Sequence, residues 1–216
     1  MESILWACGL EMSAVILYNI LRFFLKMKRP HDTISKLNAG LYQMCIIGWS
    51  AKNVIYSLDS NSIDNSLIGY YIYDTISLLM TPYGRKQYIY FLHHMLSVFL
   101  IYINITYKVA PDIYPNVLYF LMELSASMLN WMKLCNEYYP KIAVKFQLKT
   151  FTVYIATRMF CFPVFIIDYS MNVYQPVWHQ QITVGLLFIL YITSINWFFK
   201  MRKNLILHSD KYITDA

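Results

Sequence analysis

The run YIYFLHHMLSVFLIYINITY, Tyr88–Tyr107, is twenty residues long and contains no lysine, arginine, aspartate or glutamate. A transmembrane α-helix needs about 20 predominantly apolar residues, because a rise of about 1.5 Å per residue has to cover the hydrocarbon core of the bilayer. The run therefore predicts a helix that spans a membrane. Two adjacent histidines, His93 and His94, lie near its start.

Six other apolar runs lie before and after this one. The third run along the chain is short, and we expect its helix to begin earlier or to extend to Pro82. Together the seven runs predict an all-α fold, a polytopic membrane helix bundle with about seven transmembrane helices. The six other runs are Ile4–Leu25, Leu41–Leu58, Ser66–Met80, Tyr114–Leu134, Thr150–Tyr169 and Gln181–Phe199.

The composition supports a membrane protein. Hydrophobic residues make up 58% of the chain and charged residues 14%, whereas a globular domain has about 25% charged residues. A disordered chain would need low hydrophobicity and high charge. The net charge of +6 does not indicate a nucleic-acid partner, because the basic residues are not gathered on one surface. The four cysteines have no paired spacing and lie in or beside apolar runs, so they indicate structural thiols rather than disulfides or a zinc site.

The basic residues alternate between the loops. The odd-numbered loops and the C-terminal tail hold fourteen of the eighteen Lys and Arg residues, and the even-numbered loops hold one. By the positive-inside rule, this pattern predicts a lumenal or outside N-terminus and a cytosolic C-terminus. The longest loops, Lys26–Gly40 and Cys135–Lys149, are about fifteen residues long. They leave room only for short interfacial helices, so we expect the function to lie in the bilayer or at its cytosolic rim.

Ionisable residues within the predicted spans are candidate site residues, since each costs about 2.5–3.5 kcal/mol at the membrane centre. At 1.5 Å per residue, His93 and His94 lie ~8–9 Å from the cytosolic end of their span, and Asp74 ~9 Å from the end of its own. Four spans thus place polar groups in the cytosolic half of the membrane. These ionisable residues are Glu11, Lys52, Asp74, His93, His94, Glu123 and Arg158, with Asn130 and Asn196 as uncharged companions.

Two interpretations of these residues are open. A histidine that faces a carboxylate on a neighbouring helix suits acid–base chemistry or attack on a thioester. Alternatively, the polar groups only hold helices together, and a structural ion pair would explain Glu123 and Arg158. Metal binding is not indicated, because adjacent histidines point about 100° apart on a helix. Lys52 and Glu11 receive no role, since such side chains can extend to the membrane surface.

Five short runs resemble, in order and spacing, the motifs of the TLC-domain family, which includes the ceramide synthases and smaller membrane lipid proteins. The likeness extends from about Lys36 to Lys203, and its six-helix domain would occupy residues 36–205. Residues 1–35 would form a first helix and basic loop, and residues 206–216 a short cytosolic tail. The five runs are GYYIYD (Gly69–Asp74), FLHHMLSVF (Phe91–Phe99), ELSASMLN (Glu123–Asn130), RMFCFP (Arg158–Pro163) and NWFFKM (Asn196–Met201).

The resemblance implies a helix bundle around a cavity that lipids can enter. In the ceramide-synthase branch the paired histidines lie where acyl-CoA meets a sphingoid amine. The resemblance thus implies that His93 and His94 are catalytic and that Asp74 is their supporting carboxylate. Three further polar residues would line the lipid cavity: Glu123, Asn130 and Arg158.

The expected function is lipid metabolism or homeostasis in a membrane of the endoplasmic-reticulum type. The expected partners are membrane lipids, a fatty acyl-CoA as co-substrate and a long-chain base, with no cofactor and no metal; a homodimer is left open. If the protein is an enzyme, the resemblance implies an N-acyltransferase. The alternative is lipid binding, sensing or cargo handling without turnover. Ceramide synthases have an acidic cluster after the histidine pair, whereas Met95–Asn116 contains only Asp112. The chain also lacks the motifs of heptahelical receptors and the repeated halves of transporters.

Overall fold

The computed structural model describes residues 30–80 and 88–214, together with isolated positions between residues 5 and 20. The predicted span Ile4–Leu25 and the basic residues Arg85 and Lys86 lie outside the two continuous described ranges, and Glu11 lies outside the described residues altogether. The prediction of seven spans, and the side on which each terminus lies, therefore stay predictions.

The described chain is all-helical, which confirms the predicted fold class. A π-helical segment, Ile155–Cys161, joins α5 and α6 into one continuous rod. The described ranges thus contain six rods. In chain order the helices are α1 (Pro30–Tyr56), α2 (Asn61–Met80), α3 (Tyr88–Tyr107), α4 (Ile113–Tyr138), α5 (Pro140–Tyr154), α6 (Phe162–Asn172) and α7 (Trp178–Thr214).

The helices are longer than the apolar runs that predicted them. Helix α3 has the bounds predicted for it, and α2 begins at Asn61, before the predicted Ser66. The prediction of two loops of about fifteen residues was wrong. Helix α1 already begins at Pro30, and only Tyr139 separates α4 from α5. The apolar periodicity could not show this, because polar helical turns outside the hydrocarbon core carry no apolar run.

The turns between helices are short and have defined backbone geometry. Ser57 and Lys108, which follow α1 and α3, have positive φ angles of 52° and 47°. This left-handed conformation is a frequent way for a helix to end. After α1, the Leu58 N–H donates to the Asn53 carbonyl at 2.9 Å, which closes the terminus. Each of these two connections is only a few residues long.

Three helical stretches in the described chain are long and apolar enough to cross a membrane: Ile89–Tyr107, Lys145–Asn172 and Trp178–Lys203. Only about a third of each stretch is buried within the protein. The outward faces carry large apolar side chains, whereas many of the buried side chains are polar. This distribution fits helices whose outer faces contact lipid tails and whose inner faces contact one another.

Helices α1 and α4 approach closely at a glycine. A methyl group added at Gly40 would lie 3.1 Å from the indole of Trp131, and the Ser127 hydroxyl bonds the Gly40 carbonyl at 3.4 Å. Small residues allow such backbone approach between membrane helices. Gly48, two turns later on α1, has no neighbour within 4 Å of the same position.

This difference predicts that Gly40→Val destabilises the protein by about 1–3 kcal/mol, because the added carbons overpack the contact with Trp131. Gly48→Val is the matched control, since it makes the same chemical change on the same helix in open space. Thermal unfolding in detergent would measure both variants. Equal midpoints for the two variants would contradict the proposed close contact.

The predicted orientation can be tested with single cysteines in a chain whose four native cysteines are replaced. Residues Asn61–Asn65, predicted as a loop, form the first turns of α2, and Ser62 is exposed there. We expect a membrane-impermeant thiol reagent to label Ser62→Cys from outside and Lys203→Cys only after the membrane is opened. Labelling of both positions from one side would refute the predicted topology.

Candidate functional site

The structure brings His94 of α3 against Asp74 of α2. The His94 Nε2 atom lies 3.3 Å from the Asp74 Oδ2 atom, and His94 is only 6% exposed. On the other side of the ring, Nδ1 lies 3.2 Å from the hydroxyl oxygen of Thr75. Both ring nitrogens of His94 therefore have protein partners, which fixes the orientation of the imidazole.

His93 is in a different environment although it is the next residue. Its Nδ1 atom is buried without a hydrogen-bond partner among the described residues. Its ring lies edge-on to Trp197 of α7, with 5.0 Å between centroids, and 5.9 Å from the His94 ring. The structure therefore places Asp74 beside one of the two histidines, His94. The nitrogen that is available for a ligand belongs to His93.

An aromatic stack leads from His93 toward a lysine. The Tyr90 ring lies over Trp197 at 5.1 Å between centroids, and the ammonium of Lys133 lies 5.6 Å from the centre of the Tyr90 ring. Lys133 is exposed on α4, in the last turns before Tyr139. The stack therefore connects the buried histidine to a positively charged part of the surface.

Tyr71 connects the histidines to a second buried carboxylate. Its ring lies 5.3 Å from the His94 ring, and its hydroxyl donates to Glu123 Oε1 on α4 at 3.2 Å. Glu123 is 3% exposed. Its other oxygen, Oε2, is buried without a hydrogen-bond partner among the described residues. Glu123 is thus only half satisfied by the protein.

Arg158 holds three helical elements together and does not form the expected ion pair. Its Nε donates to the Ser125 hydroxyl at 2.7 Å, and its NH2 group donates to the Met122 carbonyl at 2.8 Å, both on α4. Its NH1 group lies 3.5 Å from the Ser194 hydroxyl on α7. Neither ion pair found between described residues, Lys36–Glu137 or Asp74–His94, includes Arg158.

The π-helical segment positions Arg158. At its end the Phe162 N–H donates to the Thr157 carbonyl, five residues back, instead of four. Pro163 follows and has no N–H, which removes one bond of the regular helical ladder. A widened turn accommodates this loss, and such turns are frequent at functional sites. The Arg158 side chain projects from this π-helical segment and is buried between α4 and α7.

The other predicted polar residues have simpler surroundings. The Asn130 side chain donates to the Gln43 Oε1 atom of α1 at 3.0 Å, so it joins α4 to α1. Lys52 and Asn196 are exposed. Among the residues that the structure describes, no group of three or more His, Cys, Asp or Glu side chains could hold a metal ion.

A further buried carboxylate lies at the opposite end of the bundle. Asp64 was predicted in a loop, but it is fully buried in the first turns of α2. Tyr119, Ser60 and Asn104 all bond its oxygens, with Ser60 at 3.1 Å and Asn104 at 3.4 Å. Both carboxylate oxygens of Asp64 thus accept hydrogen bonds from within the protein, which indicates a structural role.

The uncharged hydroxyl and aromatic members of the site were not predicted, because nothing in their residue types distinguishes them from ordinary residues of an apolar helix. One signal was present, since Tyr71 lies three residues before Asp74 and residues at that spacing share a helix face. No spacing could reveal the partners from distant helices. The missed residues are Tyr71, Thr75, Ser125, Ser194 and Trp197.

Lipid-facing helices around a buried cluster of acid, base and imidazole define a multi-pass membrane protein. A family model described as the TLC domain matches residues 12–203, which is most of the chain. The chain belongs to the TLC-domain family, as its five short runs predicted. No curated protein and no solved structure shows significant similarity to the chain.

We predict that Arg158→Lys lowers the free energy of unfolding by about 1–3 kcal/mol, because an ammonium cannot reproduce the fork of donors that reaches three partners. Arg202→Lys is the matched control, since Arg202 is exposed near the end of the described side chains. Thermal unfolding of both variants in detergent would measure the difference. An Arg158→Lys protein as stable as the control would show that the three bonds contribute little.

Proposed function

We propose that the protein acts in lipid metabolism and transfers a fatty acyl group from acyl-CoA to the amine of a long-chain base. The observation that carries the proposal is the asymmetry of the histidine pair. His94 is held by Asp74 and Thr75, whereas the buried Nδ1 of His93 has no partner among the residues that the structure describes. A half-buried imidazole with such a nitrogen, beside a second imidazole fixed by a carboxylate, is suited to proton transfer.

In the proposed reaction His93 is the general base. The amine nitrogen attacks the thioester carbonyl carbon, and His93 accepts the proton that the nitrogen loses. The C–S bond then breaks, and the same proton passes to the leaving CoA sulfur, so no external reductant or oxidant is needed. His94 and Asp74 act as positioning residues that hold the neighbouring imidazole. A route in which His93 itself accepts the acyl group uses the same nitrogen and stays open.

The position of the histidines supports access from the cytosol. Both lie ~8–9 Å from the start of their helix, and the aromatic stack of Tyr90 and Trp197 connects His93 to Lys133. A hydrophilic CoA head group can therefore stay at the surface while its thioester reaches the buried ring. The proposed compartment is a membrane of the endoplasmic-reticulum type, where acyl-CoA and long-chain bases are both available to a membrane protein.

The test is a search for products with purified protein in lipid nanodiscs, given a mixture of acyl-CoAs and long-chain bases and read by mass spectrometry. We expect an N-acyl lipid from the unchanged protein. His93→Ala should lower its rate by about 10²–10⁴-fold, the range of general acid–base catalysis. His94→Ala and Asp74→Asn should lower it less, because they act through the orientation of a neighbour. His179→Ala is the control. The His179 ring lies near the start of α7 and stacks on Tyr107.

A folded double variant, His93→Ala with His94→Ala, that forms product at the unchanged rate would overturn the proposal. Thermal unfolding of the same preparation shows whether the variant is folded. The mass of the product would also name the acyl chain and the base.

The second candidate function is lipid binding, sensing or cargo handling without turnover. One observation favours it. Asp112 is the only acid between Met95 and Asn116, and it bonds the Ser60 backbone and hydroxyl at 3.4 Å, in the cluster around Asp64. The histidine pair thus receives no carboxylate from the segment that follows it. Saturable lipid binding by the unchanged protein and by the histidine variants, with no product from either, would establish this second function.

A further inference from the structure

Glu123 has an unusual position for a carboxylate in a membrane protein. It is 3% exposed, and the residues around it on α4 include the half-buried Met122 and the buried Ser125. Its Oε1 atom receives a hydrogen bond from the Tyr71 hydroxyl at 3.2 Å, and the Gln43 side chain is a second polar neighbour that stabilises the carboxylate. Oε2 is buried without a partner among the described residues. A buried carboxylate oxygen without a donor is costly, so Oε2 is an acceptor position directed at a ligand.

The neighbouring cation does not occupy this position. All three nitrogens of the Arg158 guanidinium are directed at Ser125, Ser194 and the Met122 carbonyl. His94 is likewise engaged, by Asp74 on one side and Thr75 on the other. Arg158 therefore acts on Glu123 through its charge, but no cation among the described residues donates a hydrogen bond to Oε2.

The net charge of the cluster shows which ligands it favours. With neutral imidazoles, the two carboxylates of Asp74 and Glu123 outnumber the single guanidinium of Arg158. With both carboxylates ionised, the cluster therefore carries one net negative charge in an environment of low dielectric constant. Such a site attracts a cation, repels a phosphate, and offers a neutral hydroxyl only one hydrogen bond. An ammonium provides both the positive charge and the hydrogen-bond donors.

We propose that Glu123 Oε2 binds the protonated amine of a membrane lipid with a single amino head group, and so decides which lipid reaches the histidines. The inference deepens the proposed function, on which it rests for the reaction that follows binding: the ammonium first gives one proton to the Glu123 carboxylate, and the neutral nitrogen then attacks the thioester. Tyr71 sets the geometry, because its hydroxyl binds Oε1 and its ring lies 5.3 Å from the His94 ring. An amine held at Oε2 is therefore separated from the histidine pair by one tyrosine side chain. Glu123 is a specificity-determining residue and Tyr71 a positioning residue.

The test measures binding without acyl-CoA, so that no turnover is required. The full chain in nanodiscs is titrated with dodecylamine and with N-dodecylacetamide, which have the same alkyl chain but differ in charge. We expect the unchanged protein to bind the amine at least about tenfold more tightly, which corresponds to about 1.4 kcal/mol. Glu123→Gln keeps the shape of the side chain and should bind both compounds equally.

Two further variants locate the amine. Glu137→Gln is the matched control on the same helix, because Glu137 is exposed and pairs with Lys36 at 3.0 Å, and this variant should keep the tenfold preference. Tyr71→Phe removes the donor to Oε1, so the carboxylate loses the bond that holds its orientation and stabilises its negative charge, and the preference for the amine should fall. This last variant tests the same carboxylate without changing it.

Equal binding of the two compounds by the unchanged protein would overturn the inference, as would a full preference in Glu123→Gln. If Glu123→Gln does not fold, an amine preference that Tyr71→Phe leaves unchanged or raises would also overturn it. The product experiment fails independently of this one. No N-acyl product, with the amine preference intact, would end the enzyme proposal and leave the amine site standing. Product from a protein that does not prefer the amine would support the enzyme proposal and overturn the amine site.

Discussion

Polar side chains within the apolar helices have no water to bind, and this constraint determines which faces of the helices point inward. The buried polar groups of this protein bind one another across helices: Asp74 with His94, Tyr71 with Glu123, and Arg158 with Ser125 and Ser194. Each of these contacts fixes the rotation of two helices at once. The outward faces need no such precision, because apolar side chains in contact with lipid tails have many equivalent neighbours.

The constraint explains why the fold was largely predictable from the sequence. The apolar runs gave the all-α class and the exact bounds of α3, because a run without charge has to be a helix inside a bilayer. They underestimated α1, α4 and α7, whose polar ends continue as helix beyond the core. Asp64 was assigned to a loop for the same reason. A lone aspartate at the edge of an apolar run gives no sign of the three side chains that bind it.

The site was predictable only as a list of charged residues. Of the six side chains predicted for the site, five lie around α2, α3 and α4 or join them to α7. Charge within a membrane is costly, and it is therefore concentrated in one place. Their pairing was not predictable. The sequence suggested Glu123 with Arg158 as an ion pair, whereas each binds neutral partners. Pairing depends on helix rotation, and rotation depends on uncharged residues such as Tyr71 and Ser194 that resemble ordinary apolar-helix residues in a single sequence.

The two histidines show how adjacent residues come to have different roles. Neighbours on a helix point about 100° apart, so His94 faces α2 and its carboxylate while His93 faces α7 and an indole. Neither histidine can replace the other without rotating α3. A fixed imidazole and an available one are compatible with catalysis and with binding alike, and the difference between these functions lies in whether an acyl donor reaches His93.

The widened turn at Ile155–Cys161 also has a consequence for how this sequence can change over evolution. A π turn contains one residue more than the α turn it replaces. Removing one residue there would restore the regular ladder, but would rotate α6 by about 100° relative to α5. The outward side chains Val164 and Ile167 would then turn away from the lipid. A one-residue deletion that a loop would tolerate is thus, in this helix, a change that the rest of the bundle opposes.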